Sequence, residues 1–321
     1  MGGAVRQGTA ADGTPSRWMR RLAVASLVAN VAIVVTGGLV RLTSSGLGCP
    51  EWPRCTEASY RPTAEMGVHS AIEFGNRLMT FVLAAVAVAT LVVAWRQRPR
   101  RRDLRRLAGA IVLGIPLQAV LGGITVLTRL NPWVVLLHFI ASMVMVALAT
   151  ILVRRSGEPD GPSRTVTQPL PRRLAFGVLA TASVVVYLGT VTTGSGPHAG
   201  DLDAVRTGLD PALVAQLHAD LVFLLVGLSV GLVVVLAATG APAGPRRAAM
   251  VLLAVELGQG AVGYTQYFLK LPALLVAVHM LGASLVVISA VGVVLATRER
   301  AGGTPTAEST KVDSGQVVNV D

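Results

Sequence analysis

Three histidines stand inside apolar stretches of this chain: His138 in W-V-V-L-L-H, His218 in A-L-V-A-Q-L-H and His279 in L-L-V-A-V-H. An imidazole one or two helical turns below a membrane surface serves as a metal or haem ligand, or sits as a core residue bonded to a carbonyl. Two such imidazoles at one depth suit the trans axial positions of a planar tetrapyrrole held inside a helix bundle. Zinc fits poorly, because it needs about four close N, S or O ligands and the sequence has no such cluster. Near the N-terminus, V-H-S-A-I-E-F-G-N-R places His69, Glu73 and Asn76 on one helical face, with Arg77 one turn beyond Glu73. An acid within a membrane helix is costly and marks a functional site by default. The competing role is an internal Glu73–Arg77 ion pair that locks the helix.

The only two cysteines, Cys49 and Cys55, lie in G-L-G-C-P-E-W-P-R-C, with Pro50 and Pro53 between them. Their spacing suits a small disulfide loop, read either as a staple or as a redox-active pair. His198, in a loop with Asp201, Asp203 and Asp210, reads as an ordinary surface residue. Glu256 is a further acid in an apolar run, either a packing hydrogen-bond partner or part of a proton route.

The elements that must position these groups are membrane helices. Apolar residues make up 52% of the chain, charged residues 14%, and the mean hydropathy is +0.62. Runs of about 20 apolar residues suffice to cross a bilayer core. Eight are present, near 22–40, 67–95, 107–127, 134–153, 174–193, 213–239, 248–267 and 273–296. Their length excludes a membrane barrel, whose strands alternate over about 10 residues. The sequence therefore predicts an all-α membrane protein. The net charge of +11 is not a nucleic-acid footprint: 21 of the 28 Lys and Arg fall in the N-terminal arm, alternate loops and the tail. That is the positive-inside pattern, with both termini cytoplasmic, the cysteines outside, and lipid rather than nucleic acid at the surface. Residues 1–17 lack the apolar core of a cleavable signal, so the first helix is expected to act as an anchor. Alanine-, valine- and arginine-rich composition suggests a bacterial plasma membrane.

The chain also repeats itself. Gln118, Gly122, Arg129, Leu130 and His138 recur 141 residues later as Gln259, Gly263, Lys270, Leu271 and His279. Sliding by 142 sets Asn76 on His218 and Glu73 on Ala215. Eight spans thus form two pseudo-two-fold-related four-helix bundles. The expected organisation is an unstructured arm 1–17, a first half 18–153, a cytoplasmic linker 154–173, a second half 174–297, and an unstructured tail 298–321.

The halves differ in their chemistry. Two histidines in the second suit a permanently held cofactor. One histidine, a buried acid and two sulfurs in the first suit a ligand that is bound, changed and released.

G-G-L-V-R-L-T-S-S-G-L-G-C-P-E-W-P-R-C, I-E-F-G-N-R, L-H-F and V-H-M within an eight-helix repeat resemble haem A synthase, over roughly residues 20–297. The resemblance implies oxidation of the C8 methyl of haem O to a formyl group, with a haem b passing electrons and the haem A serving terminal oxidases. His218 and His279 would be the haem b ligands, His138 an axial ligand of the substrate haem, and Glu73 the catalytic acid. The family commonly has histidine where Asn76 stands, which leaves His69, or a five-coordinate site with Asn76 nearby, for the substrate haem. Arg77 stands beside these groups. Arg129 and Lys270 at the hairpin turns either pair with haem propionates or snorkel to the interface. Delivery of haem O by haem O synthase and a homo-oligomer are open to such a protein. The competing reading is a di-haem b-type quinol oxidoreductase; a small-solute transporter built on the repeat is a third.

Overall fold

The computed structural model describes residues 15–97, 100–201 and 203–301. Eight helices long and apolar enough to cross a membrane run α1 Arg17–Leu42, α2 Gly67–Arg96, α3 Arg102–Leu127, α4 Pro132–Ser156, α5 Pro169–Ser195, α6 Pro211–Ala238, α7 Ala243–Phe268 and α8 Ala273–Ala296. Ser16, Asn131 and Asp210 cap α1, α4 and α6 through their side-chain oxygens, and proline opens α4, α5 and α6, where its missing N–H costs nothing. Large apolar side chains face outward, among them Phe81, Leu113, Phe268 and Leu274, each more than 70% exposed. Such exposure fits lipid and not water. The molecule is a multi-pass membrane protein.

Each half closes into a ring. Helix α1 packs on α2 and α4, and α3 bridges α2 and α4; α5, α6, α7 and α8 repeat that cycle. Between halves, α4 packs on α8, α1 on α8 and α4 on α5. Exchanging α1 with α5 and α4 with α8 maps this set onto itself, as a pseudo-two-fold axis between α4 and α8 requires.

Burial gives the register of the repeat. Leu83, Ala87, Thr90 and Ala94 of α2 are buried, and so are Leu225, Ser229, Leu232 and Leu236 of α6, each 142 residues on. Leu104, Ala108, Ile111 and Ile115 of α3 match Pro245, Ala249, Leu252 and Glu256 of α7 at an offset of 141. On α1 and α5 the offset is 152: Met19, Ala23, Ser26, Asn30 and Val34 match Pro171, Ala175, Val178, Ala182 and Val186. The connection between the first two helices of the first half is therefore ten residues longer than its counterpart, and it carries both cysteines.

The α3–α4 and α7–α8 turns share one backbone. Arg129 and Leu130 adopt φ of 50° and 58°, Lys270 and Leu271 59° and 61°. Leu130 N–H donates to Thr125 O and Leu271 N–H to Gln266 O, which satisfies carbonyls left open at the helix ends.

At the opposite end, β1 Ser163–Thr165 pairs antiparallel with β2 Arg298–Arg300. This corrects the expectation of an unstructured tail from 298: the strand partner comes from the linker, which local sequence does not reveal. Residues 302–321 and 1–14 of the expected flexible ends lie outside the described residues. Helices α4 and α5 also run to Ser156 and from Pro169, shortening the linker at both ends. Arg101, 1% exposed, ties this end together, pairing with Asp103 and Asp160 and donating to the Arg155 and Glu158 carbonyls.

Candidate functional site

The two main apolar cores fill the end of each half that carries β1 and β2, from Met19 to Leu152 in one and from Ala175 to Val293 in the other. The histidines stand towards the other end. His138, His218 and His279 each lie six or seven residues into their helix, so they share a depth of about 10 Å below the helix start.

In the second half His218 comes from α6 and His279 from α8, helices at opposite corners of the ring that do not pack on each other. Each imidazole lies on a glycine of a flanking helix. A Cβ on Gly189 of α5 would stand 3.2 Å from His218 Cε1, and one on Gly263 of α7 would stand 3.3 Å from His279 Cε1. Any side chain there would displace the ring. Gln259 Nε2 donates to the His279 carbonyl at 2.6 Å, holding α7 and α8 together beside the ring.

On all three rings Nδ1 is the enclosed nitrogen and makes no hydrogen bond of ordinary geometry. The Val185 carbonyl, one turn before Gly189, faces the His218 ring. Nε2 is thus the nitrogen left to a ligand. Two imidazoles across a bundle axis, each bedded on glycine and each with its Nδ1 enclosed, present the donor pair that a bis-histidine haem would need.

The first half repeats the frame with one substitution. His138 of α4 lies on Gly122 of α3, where a Cβ would be 3.4 Å from its Cε1. Gln118 Nε2 reaches the His138 carbonyl at 3.5 Å and Ser142 Oγ at 2.7 Å, the counterpart of the Gln259 contact. Diagonally opposite, where the second half has His218, stands Asn76. A Cβ on Gly37 would stand an ordinary 3.8 Å from its Nδ2, and its amide oxygen accepts from Thr36 Oγ1 at 2.7 Å. The carboxamide is held by the protein and is not a strong iron ligand.

Glu73 sits one turn before Asn76 and is 5% exposed. Both carboxylate oxygens are engaged: Oε2 accepts from the Cys49 N–H at 2.6 Å, and Oε1 from the Arg77 guanidinium. Arg77 also donates to the carbonyls of Cys49, Glu51 and Arg54. Acid and cation together clamp the loop closed by the Cys49–Cys55 disulfide. The same loop lays the Trp52 ring against Gly123 of α3, one residue from the glycine under His138, so it roofs the first-half site.

His69 is exposed at the start of α2, with Nδ1 on Ser45 Oγ at 3.0 Å, two turns from Asn76. Arg129 and Lys270 are exposed at their turns, beside but not within the histidine frames. His198 is not the ordinary surface residue its loop suggests. Its Nε2 meets Leu271 O at 2.8 Å, and its carbonyl accepts from Arg41 Nε, joining the halves. Sequence reading also missed Gly37, Gly189 and Thr36. The ten-residue offset change hides the α1–α5 match, and L-G-T at 188–190 echoes T-G-G at 36–38 only once that register is known.

Residues 20–199, more than half of the chain, match the model of the cytochrome oxidase assembly protein family COX15-CtaA. The chain belongs to this family. The matched stretch includes Glu73, Asn76, His138 and both cysteines and stops short of His218 and His279. Among curated relatives, the protein named Heme A synthase of Bacillus pumilus is 30% identical over 178 residues, 53% of this chain and 57% of that one. The Heme A synthase of Lysinibacillus sphaericus is 29% identical over 180 residues, 55% and 58% of the two chains. That of Bacillus licheniformis is 25% identical over 175 residues, 53% and 57%. The matches span little more than half the length of these relatives.

Proposed function

We propose that this COX15-CtaA protein is a haem A synthase of the bacterial plasma membrane, which oxidises the C8 methyl of haem O to a formyl group. The carrying observation is the shared frame with unequal contents. Both halves bed a ligand position on glycine at diagonal corners, yet the second holds His218 with His279 and the first holds Asn76 with His138.

In this reading His218 and His279 would hold haem b by Nε2, with Gly189, Gly263 and Gln259 fixing the ring orientations. A haem held there would supply a one-electron acceptor for electrons leaving the substrate. His138 holds the substrate haem O on one face only, so it can be exchanged for haem A. Thr36, by holding the Asn76 amide oxygen, would keep that side chain from acting as a second iron ligand. Glu73, beside that face and buried, stabilises positive character on the reacting methyl and accepts its proton. Trp52 of the Cys49–Cys55 loop covers it against Gly123. Arg129 and Lys270, exposed one at each hairpin turn, would pair with haem propionates at the interface.

The Arg-rich loops at the β1–β2 end support cytoplasmic termini. Haem O synthase is the natural supplier of substrate, and the haem A product would go to terminal oxidases. A di-haem b-type quinol oxidoreductase explains His218 and His279 equally well, but it calls for a fourth ligand where Asn76 stands and gives Glu73 and the cysteine loop no task.

Expression with haem O available, purification, and a pyridine haemochrome spectrum test the proposal. A mixture of b, o and a types is expected. Only b-type haem would favour the electron-transfer reading, and no haem would favour transport.

A further inference from the structure

Glu256 is the acid that the mechanism above leaves unused. It is 3% exposed in the middle of α7, its Oε1 accepts from Ser229 Oγ of α6 at 2.9 Å, and its Oε2 has no hydrogen-bond partner. Among the described residues no cation pairs with it. Placing an unpaired carboxyl group in hydrocarbon costs several kcal/mol by usual magnitudes, so packing alone is a poor reason for it.

Its position relative to the haem ligands is specific. Glu256 lies seven residues before Gly263, two turns along α7 and on the same face, hence about 10 Å deeper than the glycine beneath His279. Ser229 lies eleven residues after His218, three turns along α6 and again on the same face. The pair is therefore set within the apolar core beneath the two imidazoles, with Leu225 one turn above Ser229 and Leu232 and Leu252 one turn below the pair. The first half has Ala87 and Ile115 at the matching positions, both buried, so the acid belongs to the half with two histidines.

We propose that Glu256 is the charge-compensating proton acceptor of the second half: Oε2 takes up one proton from the medium as haem b is reduced by one electron, and releases it on reoxidation. This inference rests on the assignment of haem b to His218 and His279. An electron added to an iron in a low-dielectric bundle brings one negative charge, and a proton bound to the carboxylate beneath the imidazoles cancels it. The electron comes from the substrate methyl and leaves to a membrane quinone as oxidant, so Glu256 gains and loses only protons.

Helix α7 packs on α6 and α8. The titratable groups on these are His218 and Asp220 of α6 and His279 of α8. Asp220 is exposed and accepts from Gln216 at 2.7 Å, and the two histidines lie two to three turns above. Glu256 is the acid placed to respond.

The test is an equilibrium redox titration of haem b in the purified full-length protein across pH, with redox-difference infrared spectra. In the wild type the midpoint potential should fall with rising pH, with a slope approaching about 59 mV per pH unit for one proton per electron. Glu256→Gln, neutral at every pH, should flatten that slope, hold the potential near the wild-type low-pH value, and remove a protonated-carboxyl band that appears on reduction. If Glu256→Gln does not assemble, Ser229→Ala decides: it should displace the pH range over which the slope develops. A wild-type slope kept in Glu256→Gln, an unmoved pH range in Ser229→Ala, or no carboxyl band in the wild type overturns the inference with haem b still in place. Absence of low-spin haem b from the wild type would instead overturn the cofactor assignment.

Discussion

Met280 inserts its thioether end at Gly38: a Cβ on that glycine would stand 2.7 Å from both Met280 Sδ and Cε. Met280 follows His279, and Gly38 follows Gly37, which faces Asn76. The α1–α8 contact thus joins the His279 position of the second half to the Asn76 position of the first.

Filling that notch should loosen the two halves. Gly38→Val is expected to cost about 1–3 kcal/mol, as overpacking does, and to lower the temperature at which bound pigment is lost. Adding Met280→Ala should recover most of the loss. A double variant no better than Gly38→Val would show that the notch does not seat Met280.

The glycine beds under the imidazoles give a graded series. Gly189→Ala and Gly263→Ala must push His218 and His279 aside, and each should broaden or shift the low-spin haem b spectrum. Gly37→Ala meets Asn76 at an ordinary distance and should leave that spectrum unchanged. Optical and EPR spectra of the three variants check the order.

These beds also mark what could be read before the structure. The eight spans, the 141-residue hairpin repeat and the Glu73–Arg77 spacing follow from hydrophobic run lengths and helical periodicity, which are local. The partners of those residues are not local. That Gly189 lies under His218, or that His198 reaches Leu271, depends on which helices are neighbours. The α1–α5 register was hidden by the longer cysteine-bearing connection, and with it Thr36 and Gly37. Asn76 was visible as the odd member of the repeat, but its hydrogen bond from Thr36 was not.

Asn76→His should convert the first half towards the second. Gly37 leaves room for a ring as Gly189 does, so the substrate haem should gain a second axial nitrogen and a low-spin signal. Turnover to haem A should fall, because the face beside Glu73 becomes occupied. A variant whose haem O complex keeps the wild-type spin state would contradict the diagonal placement of Asn76 and His138.

Glu73 combines two tasks that a substitution can separate. Glu73→Gln keeps an oxygen to accept from the Cys49 N–H but removes the charge. It should retain haem b and the disulfide loop while haem A formation drops by about 10²-fold or more. Arg77→Met, by contrast, removes donors to three loop carbonyls and should make the disulfide easier to reduce, read as faster thiol alkylation under mild reductant. Normal haem A yield from Glu73→Gln would remove the carboxylate from the mechanism.

The most direct measurement compares His218→Ala with His138→Ala, each purified with haem O available and analysed for pigment type and low-spin haem. Division of labour between the halves predicts that His218→Ala loses the tightly held low-spin b-type haem. His138→Ala should keep that haem and lose haem O and haem A. Retention of the low-spin b-type spectrum in His218→Ala, or its loss in His138→Ala alone, would contradict the assignment.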